Sequence, residues 1–425
     1  MKSNASSDTI SPMPMQQSYQ HQRSLRFIRF SWGRLFIVLV VVVAAGILLA
    51  GRQLTRPRSG NIRQQLDSAL RATVGQGKPI RNAALCVTKG DGSFTWCDAA
   101  GVANQDGKVP MTAATPFYIA SITKLFTATA IMMLHEKGLI ALNDPMAKYL
   151  PEQMIHGIQI YQGHDYSHEI TVEQLLAHTS GIPDYYDEKG KDGKTLFEIF
   201  KADQQRKWTV DKEIARTRDE MTPTFEPGAK TFYSDTNYLL LGKIIEAKTG
   251  KPLQEVFEEL FFRPLGLKHT WLVGLSEPLG KPTPTPADVF SKDENITQMR
   301  SSTFYWADGG IVSTPQDLIL FMQALQQGRL VQPDTLKKMH QWKPLSNSGM
   351  PFQYGYGTME FVIPSLINRL AKVPPIWGHS GSIGSFLYYA PDLDLYMAGT
   401  IDQENSKTAP VVLMIKIMKA AQQQK

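Results

Sequence analysis

Segments with strand character stand at both ends of the chain's body, and segments with helix character fill the interval between them. At the near end, "AALCVTKGDGSFTWCDAAG" (Ala83–Gly101) sets two alternating runs on either side of a Gly-Asp-Gly turn, the pattern of a hairpin. At the far end, "FLYYAPDLDLYMAGTI" (Phe386–Ile401) holds two short β runs around a Pro-Asp turn. Between them lie helical stretches such as "ITVEQLLAH" and "NYLLLGKIIEAKTG", the second stopped by Gly250. "APVVLMIKIMKAAQQQK" closes the chain as a further helix. This order predicts an α/β (α+β) body: one antiparallel sheet built from both ends and flanked by helices, plus an all-helical lobe.

A run of seventeen uncharged residues, "LFIVLVVVVAAGILLAG" (Leu35–Gly51), precedes this body between Arg34 and Arg52. Its length and arginine flanks predict an uncleaved transmembrane anchor rather than a cleaved signal, since no small-x-small site follows it. The expected organisation is a disordered basic tail (1–34), the anchor (35–51), a linker and first helix (52–78) and a folded domain (79–425). Lysines and arginines balance across the anchor, so charge does not orient it. A short leading tail favours a cytoplasmic N-terminus with the domain outside, periplasmic or extracellular. The same count removes a nucleic-acid partner. The net charge is +6, yet residues 1–58 carry eight basic and one acidic side chain, which leaves the rest near neutral. Cys86 and Cys97 face each other if the hairpin turns near Asp91 and Gly92. A cross-strand disulfide and two buried thiols both fit that register.

Three stretches could carry chemistry. "FYIASITKLFTATAIMMLHEKG" (Phe117–Gly138) reads as an amphipathic helix with Ser121 and Lys124 three residues apart near its start. On one helix face the ammonium lies beside the hydroxyl, and the free N–H groups of a first turn favour an alkoxide. The plain alternative is an N-cap serine and a solvated lysine, but the apolar surroundings would make an idle buried lysine costly. "FYSDTNYLLLG" sets Tyr233 and Asp235 ahead of a helix, where a tyrosine can carry a proton or the segment can simply cap. "WGHSGSIGSF" holds His379, Ser380, Gly381 and Ser382 beside a strand whose bare backbone admits a substrate to its N–H groups. The last stretch is close to a Gly-x-Ser-x-Gly elbow. That reading fails, because no histidine follows His379, the last of nine, and strand rather than helix follows the serine.

Taken in order, these elements resemble the serine β-lactamase and penicillin-binding-protein superfamily, whose signatures are Ser-x-x-Lys, Ser/Tyr-x-Asn and Lys/His-Thr/Ser-Gly. The likeness is to its class C-like branch of D,D-carboxypeptidases, D-aminopeptidases and esterases. The stretches "LLAHTSGIPDY", "FEPGAKTFYSDTNYLLLGKIIE", "PLGLKHTW", "GGIVSTPQDL" and "YGYG" extend it from about Ala83 to Met397. The resemblance implies a β-lactamase-like fold, Ser121 as a nucleophile forming an acyl-enzyme, Lys124 as its base or orienting charge, and Tyr233 passing the proton to the leaving group. It implies an oxyanion hole from the backbone N–H groups of Ser121 and Ser382, and His379 in place of the strand lysine.

Two departures adjust that expectation. Asp235 stands where the family has asparagine, and a carboxylate near Lys124 favours the ammonium, leaving Tyr233 more of the base role. His379 is neutral near pH 7 and attracts a free carboxylate less than lysine would, which favours an esterase or D,D-peptidase over a true β-lactamase. Asp308, in "ADGGIVST", replaces a small residue. "HDYSH" puts His164, Asp165 and His168 at metal-like spacing, but in a polar loop, and neither metal nor cofactor is expected. His178 reads as a turn-fixing residue and "AIMMLHEKG" as core. The expected function is a membrane-anchored serine hydrolase acting on an ester, amide (D-amino-acid peptide) or β-lactam bond of a small-molecule or peptide substrate, cell-wall peptide included. The alternative is a penicillin-recognising sensor or wall-binding protein on the same fold that does not turn over.

Overall fold

The computed structural model describes residues 61–75, 80–203, 208–300, 302–347, 352–362, 372–404, 406 and 408–423. All belong to the unit running from Pro57 to Lys425. The tail and the expected anchor at 35–51 lie outside the described residues. No helix among the described residues is long and apolar enough to cross a membrane.

The main sheet has eight strands: β1 (Asn82–Lys89), β2 (Thr95–Gly101), β3 (Lys343–Pro344), β4 (Phe352–Tyr354), β5 (Met359–Phe361), β6 (Ile376–Ser380), β7 (Phe386–Ala390) and β8 (Leu395–Thr400). Their order is β3-β4-β5-β6-β7-β8-β1-β2, with every neighbour antiparallel. The two ends of the body therefore meet where β1 pairs with β8, Ala84 opposite Thr400. Cys86 and Cys97 are directly opposed in the hairpin and form a disulfide.

Both faces of the central strands are covered, so β1, β7 and β8 are buried along nearly their whole length rather than at alternate residues. Phe386, Tyr388, Met397 and Val87 point to one face. There they pack against α1 (Ile62–Arg71) and α5 (Thr408–Gln422), through Leu66, Leu70, Leu413, Met414, Ile417 and Met418. Leu387, Tyr389, Ala398 and Cys86 point the other way, into the larger core that contains α2 (Thr123–Glu136), α3 (Asp235–Thr249) and α4 (Pro315–Gln326). Helix α1 thus belongs to the same packed body as the strands that follow it.

The interval between the hairpin and the last strands is mainly helical, as its sequence predicts, and it also carries small sheets. One of these corrects the expected start of the Ser121 helix. Phe117 and Tyr118 pair with Ile311–Ser313 as a short strand, Ala120–Ile122 form a 3₁₀ turn, and α2 begins only at Thr123. Nor is α2 amphipathic: eleven of its fourteen residues are buried, Lys124 among them. A helix that runs through the middle of the core has no wet face to pattern.

Candidate active site

The 3₁₀ turn presents Ser121 on a strained backbone. Ala120 lies at φ 46°, in the left-handed region that a side chain rarely takes. Its neighbours hold it there. The Ile119 N–H donates to the Ile311 carbonyl (3.0 Å), and Ser385 Oγ donates to the Ile119 carbonyl (2.8 Å). On the far side Gly381 fits against Ile119 and Ala120 so closely that a methyl group on it would overlap Ser385 Oγ and stand 2.6 Å from the Ile119 carbonyl oxygen.

Lys124, one turn on, is fully buried, and its ammonium has three oxygen partners. It donates to Ser121 Oγ (3.1 Å) and to the carbonyl oxygen of Asp308 (2.7 Å), and it pairs with Asp235 Oδ1 at 2.6 Å. Burial alone would favour the free amine. The carboxylate of Asp235, with Tyr233 and Asp308, outweighs it and holds the group above the usual lysine range. Lys124 is therefore an ammonium at rest.

Tyr233 and Asp235 flank the start of α3. Ser234 occupies the N-cap position, but its hydroxyl donates to the Pro183 carbonyl (3.0 Å) instead of capping the helix. The same carbonyl accepts from Thr236 Oγ1 (2.7 Å), and Asp184 Oδ1 accepts from the Asp235 N–H (3.1 Å). The "HTSGIPDY" loop thereby fixes the entry to α3. The Tyr233 ring lies with its centroid 5.1 Å from Lys124 Nζ and 4.3 Å from the His178 imidazole. Burial raises its phenol above the ordinary value, and the Lys124 ammonium pulls the other way without cancelling that.

His379 lies on β6 itself, so "WGHS" is the strand and Gly381–Gly384 its hairpin turn, where the sequence suggested a stretch ahead of a strand. Its imidazole is buried and held neutral: burial, then Lys124, push it down to about 3. Nδ1 lies 2.8 Å from the Ser380 carbonyl and must be the protonated nitrogen, leaving Nε2 to accept from Tyr354 OH at 3.2 Å. Ser380 Oγ shares a hydrogen bond with Tyr388 OH (2.8 Å). Ser382 is exposed in the turn, and its hydroxyl accepts from Arg300 (3.2 Å).

The serine–lysine pair, the Tyr233–Asp235 segment and the His379 strand thus come together in the structure, and several other residues join them. Asp308 supplies a backbone oxygen to Lys124, while its carboxyl accepts from Tyr185 OH (3.0 Å). Burial, reinforced by Asp235, pushes that carboxyl and the one on Asp184 well above the carboxylate range. His178 does more than fix a turn. Its Nδ1 accepts from the Ser234 N–H (3.2 Å), and its ring packs on Tyr233 and Tyr354. Arg300 pairs with Glu404 at 2.7 Å, bracing the turn that carries Ser382.

Comparisons with known proteins agree with this arrangement. The beta-lactamase family profile matches residues 65–415. Penicillin-binding protein 4* of Bacillus subtilis (strain 168) is 26% identical over 302 residues, 67% of this chain and 60% of that protein. A putative D-alanyl-D-alanine carboxypeptidase of Escherichia coli (strain K12) is 33% identical over 216 residues, 48% and 46% of the two chains. The chain thus spans about half the length of these curated relatives. A D-stereospecific amidohydrolase from Streptomyces sp. superposes with a TM-score of 0.65 at 28% identity, over 82% of this chain and 97% of that one. The D-amino acid amidase of Ochrobactrum anthropi SV3, at 23% identity, shares the fold with a TM-score of 0.70 over 86% and 99%. With a family match over most of its length and a serine–lysine–tyrosine cluster at its centre, the chain belongs to the beta-lactamase family of serine hydrolases.

Proposed function

We propose that the protein hydrolyses an amide or ester bond through an acyl-enzyme on Ser121, with a small D-amino-acid amide or peptide as the substrate class. The observation that carries this reading is the buried contact of Lys124 with Ser121 and Asp235. Ser121 Oγ attacks the carbonyl carbon, and the backbone N–H groups of Ser121 and Ser382 receive the oxyanion. At rest Lys124 has no lone pair to offer. For it to take the Ser121 proton it must first lose its own, which the carboxylate of Asp235, 2.6 Å away, opposes. Tyr233, neutral and beside both Ser121 and Lys124, then carries a proton to the leaving group. The D-stereospecific amidohydrolase relative supports the substrate class. The neutral His379, both of whose ring nitrogens are engaged, supports an amidase, peptidase or esterase over a β-lactamase, because it offers no cation to a substrate carboxylate.

A nitrophenyl ester, a D-amino-acid amide and a chromogenic cephalosporin, each compared with Ser121→Ala, test the proposal. The first two should turn over in the native protein and fall on the order of 10³-fold or more in the variant. The fixed Lys124 ammonium also suits the other reading, a receptor that acylates slowly and keeps its acyl group. Labelling of Ser121 without turnover would establish that reading and sink the hydrolase. For residues 35–51 we propose an uncleaved anchor with the domain outside. The apolar run supports it, as does the Cys86–Cys97 disulfide, a bond that persists in oxidising compartments. Full-length protein should resist alkaline carbonate extraction from membranes, and release into the wash would refute the anchor.

A further inference from the structure

Away from Ser121, one cluster combines the two donor types that a borderline divalent cation takes. Glu152 opens a short helix (Glu152–Ile155), and His156 lies four residues on, just past its end. His168 approaches from beyond the hairpin formed by Ile160–Tyr161 and His164–Asp165. Glu152 reaches both imidazoles, with Oε1 3.2 Å from His156 Nδ1 and Oε2 2.7 Å from His168 Nε2. The three donor atoms all lie within 4.8 Å of one another, and the ring centroids are 6.1 Å apart. Asp165 Oδ2 stands 3.6 Å from His156 Nδ1. The Gly157 N–H holds that oxygen (3.1 Å) and the Ser167 N–H holds its partner (2.9 Å), so the carboxylate is already oriented.

We propose that Glu152, His156 and His168, with Asp165 as a fourth donor, bind a zinc ion. Ligands at about 2.0–2.1 Å from a tetrahedral zinc are roughly 3.4 Å apart, and the contacts of Glu152 with His168 and His156 and of Asp165 with His156, at 2.7, 3.2 and 3.6 Å, bracket that separation. Two imidazoles with carboxylates select a borderline metal over calcium or magnesium, which take oxygen alone. The contacts of Glu152 with the two imidazoles would give way to bonds to the cation. The spacing in "HDYSH" pointed to a different set. His164 instead pairs with Glu169 (2.6 Å), and the missing ligands come from the helix before the hairpin.

The ion would tie that helix to the hairpin. Between them, Gln159 donates from its backbone N–H to the Ser167 hydroxyl oxygen (3.1 Å) and from Nε2 to the carbonyls of Ser180 (3.3 Å) and Phe225 (2.9 Å). Ser180 belongs to the loop that carries His178 behind Tyr233. The role is structural, and the three ligands are exposed enough to be replaced without opening the core.

Calorimetric titration of the EDTA-stripped full chain with zinc chloride is the test, with a thermal melt alongside. One zinc per chain and a raised melting temperature are expected. Losing a partner beyond the ligands costs about 10–100-fold in affinity, so the double variant His156→Ala/His168→Ala should lose at least that much. Its folding is checked by circular dichroism and by ester turnover, which should stay at the native level. His164→Ala should bind like the native chain. The proposal is overturned if the native chain takes up no stoichiometric zinc, if the double variant binds as tightly, or if His164→Ala abolishes binding.

Discussion

A single carboxylate sets the charge at the centre of the site. Asp235 lies 2.6 Å from Lys124 and is the main reason that lysine is an ammonium despite complete burial. The sign of its effect on catalysis follows directly. With the folded-state pKa of Lys124 raised, the neutral amine is scarce across ordinary pH, and activity that depends on it must climb as pH rises. Asp235→Asn removes the raising charge and lowers that pKa, so the rising limb of kcat/KM against pH should move toward neutrality. An unshifted limb in the variant would show that Asp235 does not govern the base. Asp308, without explanation in the sequence, serves twice at this scale: its carboxyl accepts from Tyr185 OH, and its carbonyl oxygen is the third partner of Lys124. Such a contact could not be read beforehand, because a backbone oxygen has no sequence signature and its partner lies 184 residues away.

At the level of elements, the site is a meeting of turns rather than the face of one helix. The entry to α3 meets the Ser121 turn through Lys124, and the β6–β7 hairpin meets it at Gly381, whose lack of a side chain lets the hairpin close on Ile119 and Ala120. Gly381→Ala would drive a methyl into backbone and into Ser385, neither of which can swing away. It should lower the melting temperature and reduce kcat far more than it raises KM, since the nucleophile is displaced and the binding walls are not. A variant that melts and turns over like the native chain would show that this contact does not position Ser121. Much at this scale was legible. The hairpin around Asp91 and Gly92, the two last strands and the helix ended by Gly250 all stand where periodicity and turn residues put them. What was missed has a common cause. Phe117–Tyr118 are strand because Ile311–Ser313 lie beside them, and α2 lost its expected wet face because α3 and α4 pack around it. Neither fact is local. The roles of Tyr185, Tyr354 and the Arg300–Glu404 pair were hidden for the same reason.

For the whole molecule, stability depends on both ends of the body. Helix α5 lays Leu413, Met414, Ile417 and Met418 over Val87, Tyr388 and Met397. At about 1.5–3 kcal/mol for each buried side chain, these four contribute roughly 6–12 kcal/mol, comparable with the net stability of a typical domain at about 5–15 kcal/mol. A chain truncated before Thr408 should therefore be insoluble or lack a cooperative melt, as judged by soluble yield and near-ultraviolet circular dichroism. Soluble, cooperatively melting protein would show that α1 alone covers that face.

The pairing of Ala84 with Thr400 also sets a clock. Ribosomes add about 5–20 residues per second, so β1 is made roughly 15–60 s before the strand that completes its sheet. Throughout that interval the hairpin has an unpaired edge, which is the period of greatest exposure to aggregation and to holding chaperones. The body cannot lock while it is being synthesised, and a chain that stays unlocked until its last strand is made is one that a narrow translocation pore can still thread.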